Sequence, residues 1–405
     1  MMAKRKYAPI FYFVSLANLC FFLGNSFFIL LPVYLKNLGA TETYIGIINN
    51  IDKVFLIIAA FALGSLIRGH DRVRMLRQGY VLLLCAYGSY LFIDSLAWYI
   101  PFIRVLHGIG FSVAMIMGST IVFESVAPED ATEAIGIYGI TGAITNAVSP
   151  AVGELLLSRG YPHQVLFMLS CAFIAASLVL TFRMPLLSQG HADDTETWAS
   201  MGLLFRQPAF AAYILATFIF GGGFGVIITF LPNFIRTDTA LNYSWFFVTY
   251  TAMLVVIRFF FMKPIATAQT NLLVGAVFFV GAVMNMLLNF HGTVAWLVTV
   301  GTLYGITHGV LYPVLNAHVV NLAPQQERGR ANALFSAVFN GGMMVFAFGL
   351  GFAIDYFRSY LAAFNFCAVA SMAAGAMIAL LHDTTGTDAA GRRHGTTKEK
   401  SSISP

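Results

Sequence analysis

The chain has 405 residues, of which 58% are hydrophobic and only 10% charged, with a mean hydropathy of +0.77. Soluble domains carry about 25% charged residues, so the composition excludes a soluble enzyme or binding module and indicates a polytopic helical membrane protein. The net charge of +5 is not a nucleic-acid signal, because the basic residues sit in short segments between apolar runs.

Those runs predict transmembrane helices at 10–35, 44–67, 77–96, 100–125, 132–157, 163–183, 209–235, 243–262, 270–290, 293–320, 329–354 and 360–382. Each is long enough to cross a bilayer core at about 1.5 Å per residue. They are continuous rather than alternating, which excludes an outer-membrane barrel. The first run follows a short basic start but is too long for a signal peptide and lacks a cleavage site, so it is expected to be a retained helix. With the N-terminus inside, inner segments hold most of the 23 Lys and Arg residues, and outer loops hold only Lys36, Arg159, Arg236 and Arg358. That bias places both termini in the cytoplasm. Cys20, Cys85, Cys171 and Cys367 lie inside apolar runs without CxxC spacing, so neither a metal site nor a disulfide is expected.

An internal repeat divides the chain. "LPVYLK" at Leu31–Lys36 ends the first run, and "LPNFIR" at Leu231–Arg236 ends the seventh. "AP" at 127–128 precedes the fifth run and "AP" at 323–324 the eleventh, and at that same offset Gly153 falls on Gly349. The expected architecture is all-α, with twelve transmembrane helices in two pseudo-symmetric six-helix bundles. An N-terminal half over 1–184 and a C-terminal half over 208–382 flank a cytoplasmic linker at 185–207. The polar tail at 383–405 has little to bury and is expected to be disordered.

Charges at membrane depth are costly and mark functional candidates. Counted from Tyr44, Asp52 and Lys53 lie about 12–13 Å deep, with Asn49 and Asn50 one turn earlier on the same face. Two readings stand for Asp52: a proton-titrating carboxylate beside a central cavity, or a structural ion pair with a neighbouring helix. Asp52 and Lys53 point about 100° apart and are not expected to be each other's sole partners. Arg104 is only about 5 Å from the start of its helix and could snorkel outward. His107, one turn deeper, either exchanges protons near its ordinary pKa of about 6.5 or forms a neutral interhelical hydrogen bond. His308 lies near mid-membrane, to touch substrate or to bond across helices, and Asn25 in "LGNSF" is a further cavity candidate. Glu124 is within reach of the basic stretch Arg68–Arg77, including Arg72, which suits an ion-pair gate. Gly221, Gly222 and Gly223 in "GGGFG" allow bending or tight helix contact. Arg258 and His318 are read as anchors, and Asp94, Glu154 and Asp355 as ordinary solvated carboxylates near outer helix ends.

This architecture resembles the major facilitator superfamily, and three stretches carry the resemblance. "RVLHGIGFS" is similar to the fourth-helix RxxQGxG motif, with Arg104, Gly108 and Gly110 matching and His107 in place of glutamine. "SPAVGE" resembles the fifth-helix GPxxGG signature of proton-coupled drug antiporters; Pro150 and Gly153 match, whereas Ser149 and Glu154 replace glycines. "GSLIRGHDRVR" resembles the GxLaDrxGrr gate, with Gly64 kept, Arg68 where aspartate is expected and Asp71 where glycine is expected. The resemblance implies a role in proton transfer or charge pairing for Arg104, with His107 beside it as a further proton-coupling candidate, and roles in gating for Gly64, Arg68, Asp71, Arg72, Pro150 and Gly153.

The function expected is secondary active transport of a small molecule by alternating access. No GxxxxGK[ST] stretch supplies an ATP site, so an ion gradient drives it, and Asp52 with His107 favours protons over sodium. The leading reading is proton-coupled efflux of a drug-like compound or metabolite from a monomer in the bacterial inner membrane. The alternative is a proton symporter importing a sugar or organic acid, with Lys53 as an anion contact. A membrane enzyme or lipid transporter is the remote reading, opposed by the lack of HExxH, CxxC or GxSxG stretches. Partners are then the substrate, protons and the bilayer, with no nucleic acid and no cofactor.

Overall fold

A computed structural model describes residues 7–66, 71–126, 130–186, 202, 204–239, 241–261, 264–265, 271–290, 292–324 and 327–381. Twelve long helices follow one another, and no strand occurs among the described residues. They are α1 Pro9–Asn37, α2 Glu42–Leu66, α3 Arg72–Tyr90, α4 Ile100–Ser125, α5 Ala131–Ser158, α6 Gln164–Thr181, α7 Pro208–Asp238, α8 Ser244–Phe261, α9 Asn271–Phe290, α10 Val294–Leu322, α11 Arg328–Phe357 and α12 Tyr360–Ala379. Ten are long and apolar enough to cross a membrane. The other two, α2 and α3, carry Glu42, Asp52 and Lys53, and Arg72, Arg74 and Arg77.

Local chemistry sets the ends. Proline begins α1 and α7, where a missing N–H costs nothing. The Asp71 carboxylate caps α3 by accepting from Arg74 N at 2.7 Å, and the Thr293 hydroxyl caps α10 from Trp296 N at 3.1 Å. The third helix therefore starts at Arg72 and stops at Tyr90, earlier at both ends than the expected 77–96: its capped basic turn is helical, whereas the apolar stretch after Tyr90 turns. Gly39 (φ +87°) follows α1 and Gly160 (φ +84°) follows α5, both left-handed positions that favour glycine. Within α1 a 3-10 turn spans Phe27–Leu30, where Pro32 lacks the N–H that would bond the Phe28 carbonyl.

The pairing of helices shows the repeat. In the first half α1 packs on α5 and α6, α2 on α4, and α3 on α4 and α6; in the second half α7 packs on α11 and α12, α8 on α10, and α9 on α10 and α12. The halves meet along two seams, α2 with α11 and α5 with α8, which exchange under the same twofold relation. Hydroxyls reach main chain across helices inside the first bundle: Ser149 to Leu23 O at 2.8 Å, Ser170 to Gly24 O at 2.8 Å and Ser177 to Ala17 O at 3.0 Å. Interhelical bonds of this kind hold helices together where lipid removes the hydrophobic drive. Twelve crossings put Pro9 and Ala379 on one face, the terminal face, and the α1–α2, α7–α8 and α11–α12 loops on the opposite, loop face. The expected linker at 185–207 lies mostly outside the described residues, as do Arg68 and the tail at 383–405.

Candidate functional site

Between the bundles lies a cavity of about 650 Å³. Asn25, Lys53, Phe111 and Asn146 line it from the first half, and Phe224, Tyr312, Phe339 and Asn340 from the second. Its deeper lining continues through Met115 and Ser119 of α4 and Asn332 and Ser336 of α11, so it extends toward the terminal face. Among the described lining residues Lys53 alone is charged.

Behind that wall sits one connected cluster. Lys53 Nζ lies 2.6 Å from Asp52 Oδ2, and Arg104 Nη2 lies 3.1 Å from Asp52 Oδ1. The neighbours in sequence thus do pair, while Arg104 holds the second oxygen. Arg104 does not snorkel: it is 3% exposed and turns onto α2, donating to Ile48 O and Asn49 O at 2.8 Å each. A buried guanidinium is satisfied only when its fixed fork of donors is filled, and the α2 main chain, the Asp52 carboxylate and His107 Nδ1 together fill it. Glycine makes this approach feasible. A Cβ at Gly108 would lie 2.7 Å from Asp52 Cα, and one at Gly110 would lie 3.0 Å from the Gly79 carbonyl oxygen of α3. The two glycines of "HGIG" therefore seat α4 on α2 and on α3.

The cluster has a fixed hydrogen-bond polarity. Arg104 Nη1 lies 3.2 Å from His107 Nδ1, and a guanidinium can only donate. His107 Nδ1 is therefore an acceptor and its proton sits on Nε2, which donates to Asn25 Oδ1 at 3.0 Å. Tyr87 OH donates to the same oxygen at 3.1 Å. Of the two readings open for His107, this arrangement is the neutral interhelical bond, packed edge-on to Phe28 and Tyr87.

The other candidates are distributed differently. Asn49 and Asn50 both donate to Thr229 Oγ1 of α7, at 3.0 and 3.2 Å, so they tie the halves together and do not line the cavity. His308 accepts or donates at Tyr250 OH, 2.7 Å away, and is walled off by the rings of Phe220 and Phe224; it lies behind the lining. Arg72 pairs with Glu124 at 3.3 Å, but α3 and α4 belong to one bundle, so opening between the halves need not break this contact. Asp71 is a helix cap. Gly64 lies in α2, and Arg68 lies outside the described residues. Pro150 lies within α5, where it removes the donor to the Asn146 carbonyl, and a Cβ at Gly153 would lie 2.6 Å from Leu30 Cδ1 of α1. Gly221 abuts the Phe339 carbonyl and Gly222 the Phe346 ring, while Gly223 faces open space; the run serves contact with α11.

The loop face is closed by residues the sequence did not single out. Asp355, expected to be merely solvated, reaches from α11 to the first turn of α2: Oδ1 accepts from Glu42 N at 2.8 Å, and Oδ2 from Thr43 N at 2.7 Å and Thr43 Oγ1 at 2.6 Å. Glu42 is buried, paired with Lys36 at 2.8 Å, and accepts from Tyr360 OH. Asn233 Nδ2 donates to Pro32 O at 3.4 Å, so the two copies of the Leu-Pro repeat touch at this face. The His163 ring lies against Tyr34 here, tilted by 34° at a centroid distance of 4.9 Å, and burial, with the Arg236 guanidinium adding, pushes its pKa down to about 4. The signal for Asp355 was available: the first N–H groups of α2 need acceptors, and Thr41 Oγ1 serves only Tyr44 N. Asn146 could have been found by counting depth along α5.

Two paired bundles with a polar cluster beside a central cavity are the architecture of a multi-pass membrane transporter of the secondary class. The sequence profile described as Major Facilitator Superfamily matches residues 14–272 and 268–404, and the chain belongs to that superfamily. Among solved structures, an aspartate-to-alanine mutant of the nucleoside transporter NupG superimposes with a TM-score of 0.75 at 13% identity, covering 91% of this chain and 99% of that one. A glutamate-to-glutamine mutant of the peptide transporter POT gives 0.73 at 13%, covering 91% and 93%. A POT family transporter in complex with a thioalcohol-conjugated peptide gives 0.71 at 12%, covering 91% and 94%. Such identities speak to the fold alone, which is that of transporters rather than enzymes. No curated protein is matched by the sequence.

Proposed function

We propose that the protein is a proton-coupled secondary transporter of a small organic molecule, in which Asp52 takes the proton. One observation carries this reading: the Asp52 carboxylate is shared between Arg104, sealed against α2, and Lys53, which opens on the cavity. A proton arriving at Asp52 breaks the pairing that neutralises the cavity wall. His107 is the weaker acceptor, because a proton on its Nδ1 would meet the Arg104 guanidinium. Its role is to position Arg104 and Asn25. The α2–α11 and α5–α8 seams supply the two interfaces across which the bundles rock.

The Lys and Arg distribution supports cytoplasmic termini, which makes the cavity inward-facing, and the compact chain without large loops suits a bacterial inner membrane. The resemblance at Pro150 and Gly153 supports export of a drug-like compound or metabolite. A second reading, symport of an organic acid, is favoured by Lys53 as the charged lining residue. The nucleoside and peptide cargoes in the names of the structural neighbours are not carried over at 12–13% identity.

The test uses proteoliposomes with a pH-sensitive dye inside and a panel of organic acids, sugars, dipeptides, nucleosides and lipophilic cations outside. At least one compound should move protons in wild type, and Asp52→Asn should abolish that movement. Retention of substrate-linked proton movement in Asp52→Asn overturns the assignment.

A further inference from the structure

Resting on Asp52 as the proton-carrying group, and taking the organic-acid symport reading over export, we infer that the cavity contains a subsite for the acidic group of an amphipathic organic anion, formed by Lys53 Nζ and the side-chain amides of Asn25 and Asn146, and that this anion travels with the proton rather than against it.

The subsite follows from hydrogen-bond polarity. Arg104 fixes the His107 tautomer, and His107 with Tyr87 occupies the Asn25 carbonyl oxygen. The Asn25 NH₂ is thereby the end left for the cavity that this residue lines. On α5, Ser26 Oγ donates to Asn146 Oδ1 at 3.1 Å, which likewise leaves the Asn146 NH₂ as the free end at the wall. With Lys53 Nζ, three side chains on α1, α2 and α5 offer N–H donors to one side of the cavity, and no carboxylate is among its described lining residues. Donors and an ammonium without a competing acid are the chemistry that receives a carboxylate or similar monoanion. The body of the ligand meets rings from both bundles: Phe111, whose centroid is 6.0 Å from Lys53 Nζ, together with Phe224, Tyr312 and Phe339. A volume of about 650 Å³ is in the range that encloses one drug-sized ligand.

The direction of coupling follows from charge balance. With Asp52 ionised, Lys53 is neutralised by it at 2.6 Å. A proton from water adds to Asp52 and leaves a neutral carboxylic acid, while Lys53 remains an ammonium. The substrate anion then replaces Asp52 as its counter-ion. One proton and one anion are loaded together, with no net charge gained at the wall. A cationic substrate would meet the ammonium and no carboxylate, so exchange of a cation for a proton does not suit this wall.

The test measures binding to the purified full-length protein by calorimetry at pH 7.5, using matched acid and amide pairs: 3-phenylpropionate, indole-3-acetate and octanoate with their amides. Asp52→Asn removes the competing carboxylate and should bind at least one acid about tenfold more tightly than wild type does, and about tenfold more tightly than the matching amide. Lys53→Met should erase the preference for acid over amide. Because either change disturbs a buried pair, Asn146→Asp supplies an independent arm: it keeps the acceptor for Ser26 but places a negative charge at the subsite, and should weaken the acid about tenfold while leaving the amide within about twofold. The inference is overturned if no acid outbinds its amide in Asp52→Asn, or if Lys53→Met or Asn146→Asp keeps the preference. If that preference is absent while Asp52→Asn still abolishes proton movement, the anion subsite falls and Asp52 as proton carrier stands. If Asp52→Asn keeps proton movement, the proton reading falls instead.

Discussion

Replacing Asp355 with alanine removes the carboxylate that α11 sets against the first turn of α2. Three hydrogen bonds are lost, to Glu42 N, Thr43 N and Thr43 Oγ1, at 2.8, 2.7 and 2.6 Å. A hydrogen bond to a charged group is worth about 1.5–3 kcal/mol net, and loss of an N-terminal cap about 0.5–2 kcal/mol. Asp355 is only partly buried, and the freed N–H groups can turn to water once the face opens. The set is therefore worth about 2 kcal/mol toward closure, well below three times the single-bond value because the freed groups regain water. At about 1.4 kcal/mol per tenfold, this raises the population open at the loop face roughly 30-fold. The assay places a single cysteine at Ile29, on the cavity wall, in a chain whose four cysteines are replaced by serine. A membrane-impermeant maleimide is then applied from the loop face. Labelling should accelerate by about 10–30-fold in Asp355→Ala, and by about fivefold in Asp355→Asn, which keeps one acceptor. A rate within about twofold of the parent in both variants refutes the latch.

Other consequences are equally direct. Arg104→Ala leaves Asp52 paired with Lys53 alone and strands two main-chain carbonyls and one carboxylate oxygen, which should destabilise the protein by about 3–5 kcal/mol in detergent unfolding; Arg104→Lys keeps the charge but not the fork, and should lose about 1–3 kcal/mol. Gly221→Ala meets the Phe339 carbonyl and should cost about 1–3 kcal/mol, whereas Gly223→Ala meets nothing and should be neutral or gain up to about 1 kcal/mol from helix propensity. His163, with its pKa near 4 against an ordinary 6.5, binds its proton more weakly folded than unfolded. Its contribution to stability is thus complete above about pH 6.5 and is lost as pH falls toward 4. His163→Gln should flatten the melting temperature over that window, and an unchanged slope would mean that His163 does not set the pH dependence.

The twelve helices and their pairing in halves were legible because apolar runs of bilayer length and a repeat at nearly constant offset are one-dimensional signals. Asp52 and Lys53 were legible for the same reason: depth can be counted along a helix. What could not be counted was rotation. Arg104 looked able to reach the surface because it sits near a helix end, yet Gly108 brings α2 so close that the guanidinium finds its acceptors on that main chain. Asn49 shares a face with Asp52 in sequence but meets Thr229 of the other half, and His308 sits at the right depth on the wrong side of Phe224. The loop-face latch escaped notice because Asp355 and Glu42 are ordinary near helix ends until a distant turn needs capping.

Whether Asp52 carries the coupling proton is decided by comparing two modes of transport in the same Asp52→Asn proteoliposomes. Exchange of labelled for unlabelled substrate, with no pH difference, needs only binding and rocking. Accumulation against a concentration gradient, driven by an imposed pH difference, needs the proton as well. Exchange should persist within about threefold of wild type while accumulation is lost. Accumulation preserved alongside exchange would contradict that role for Asp52.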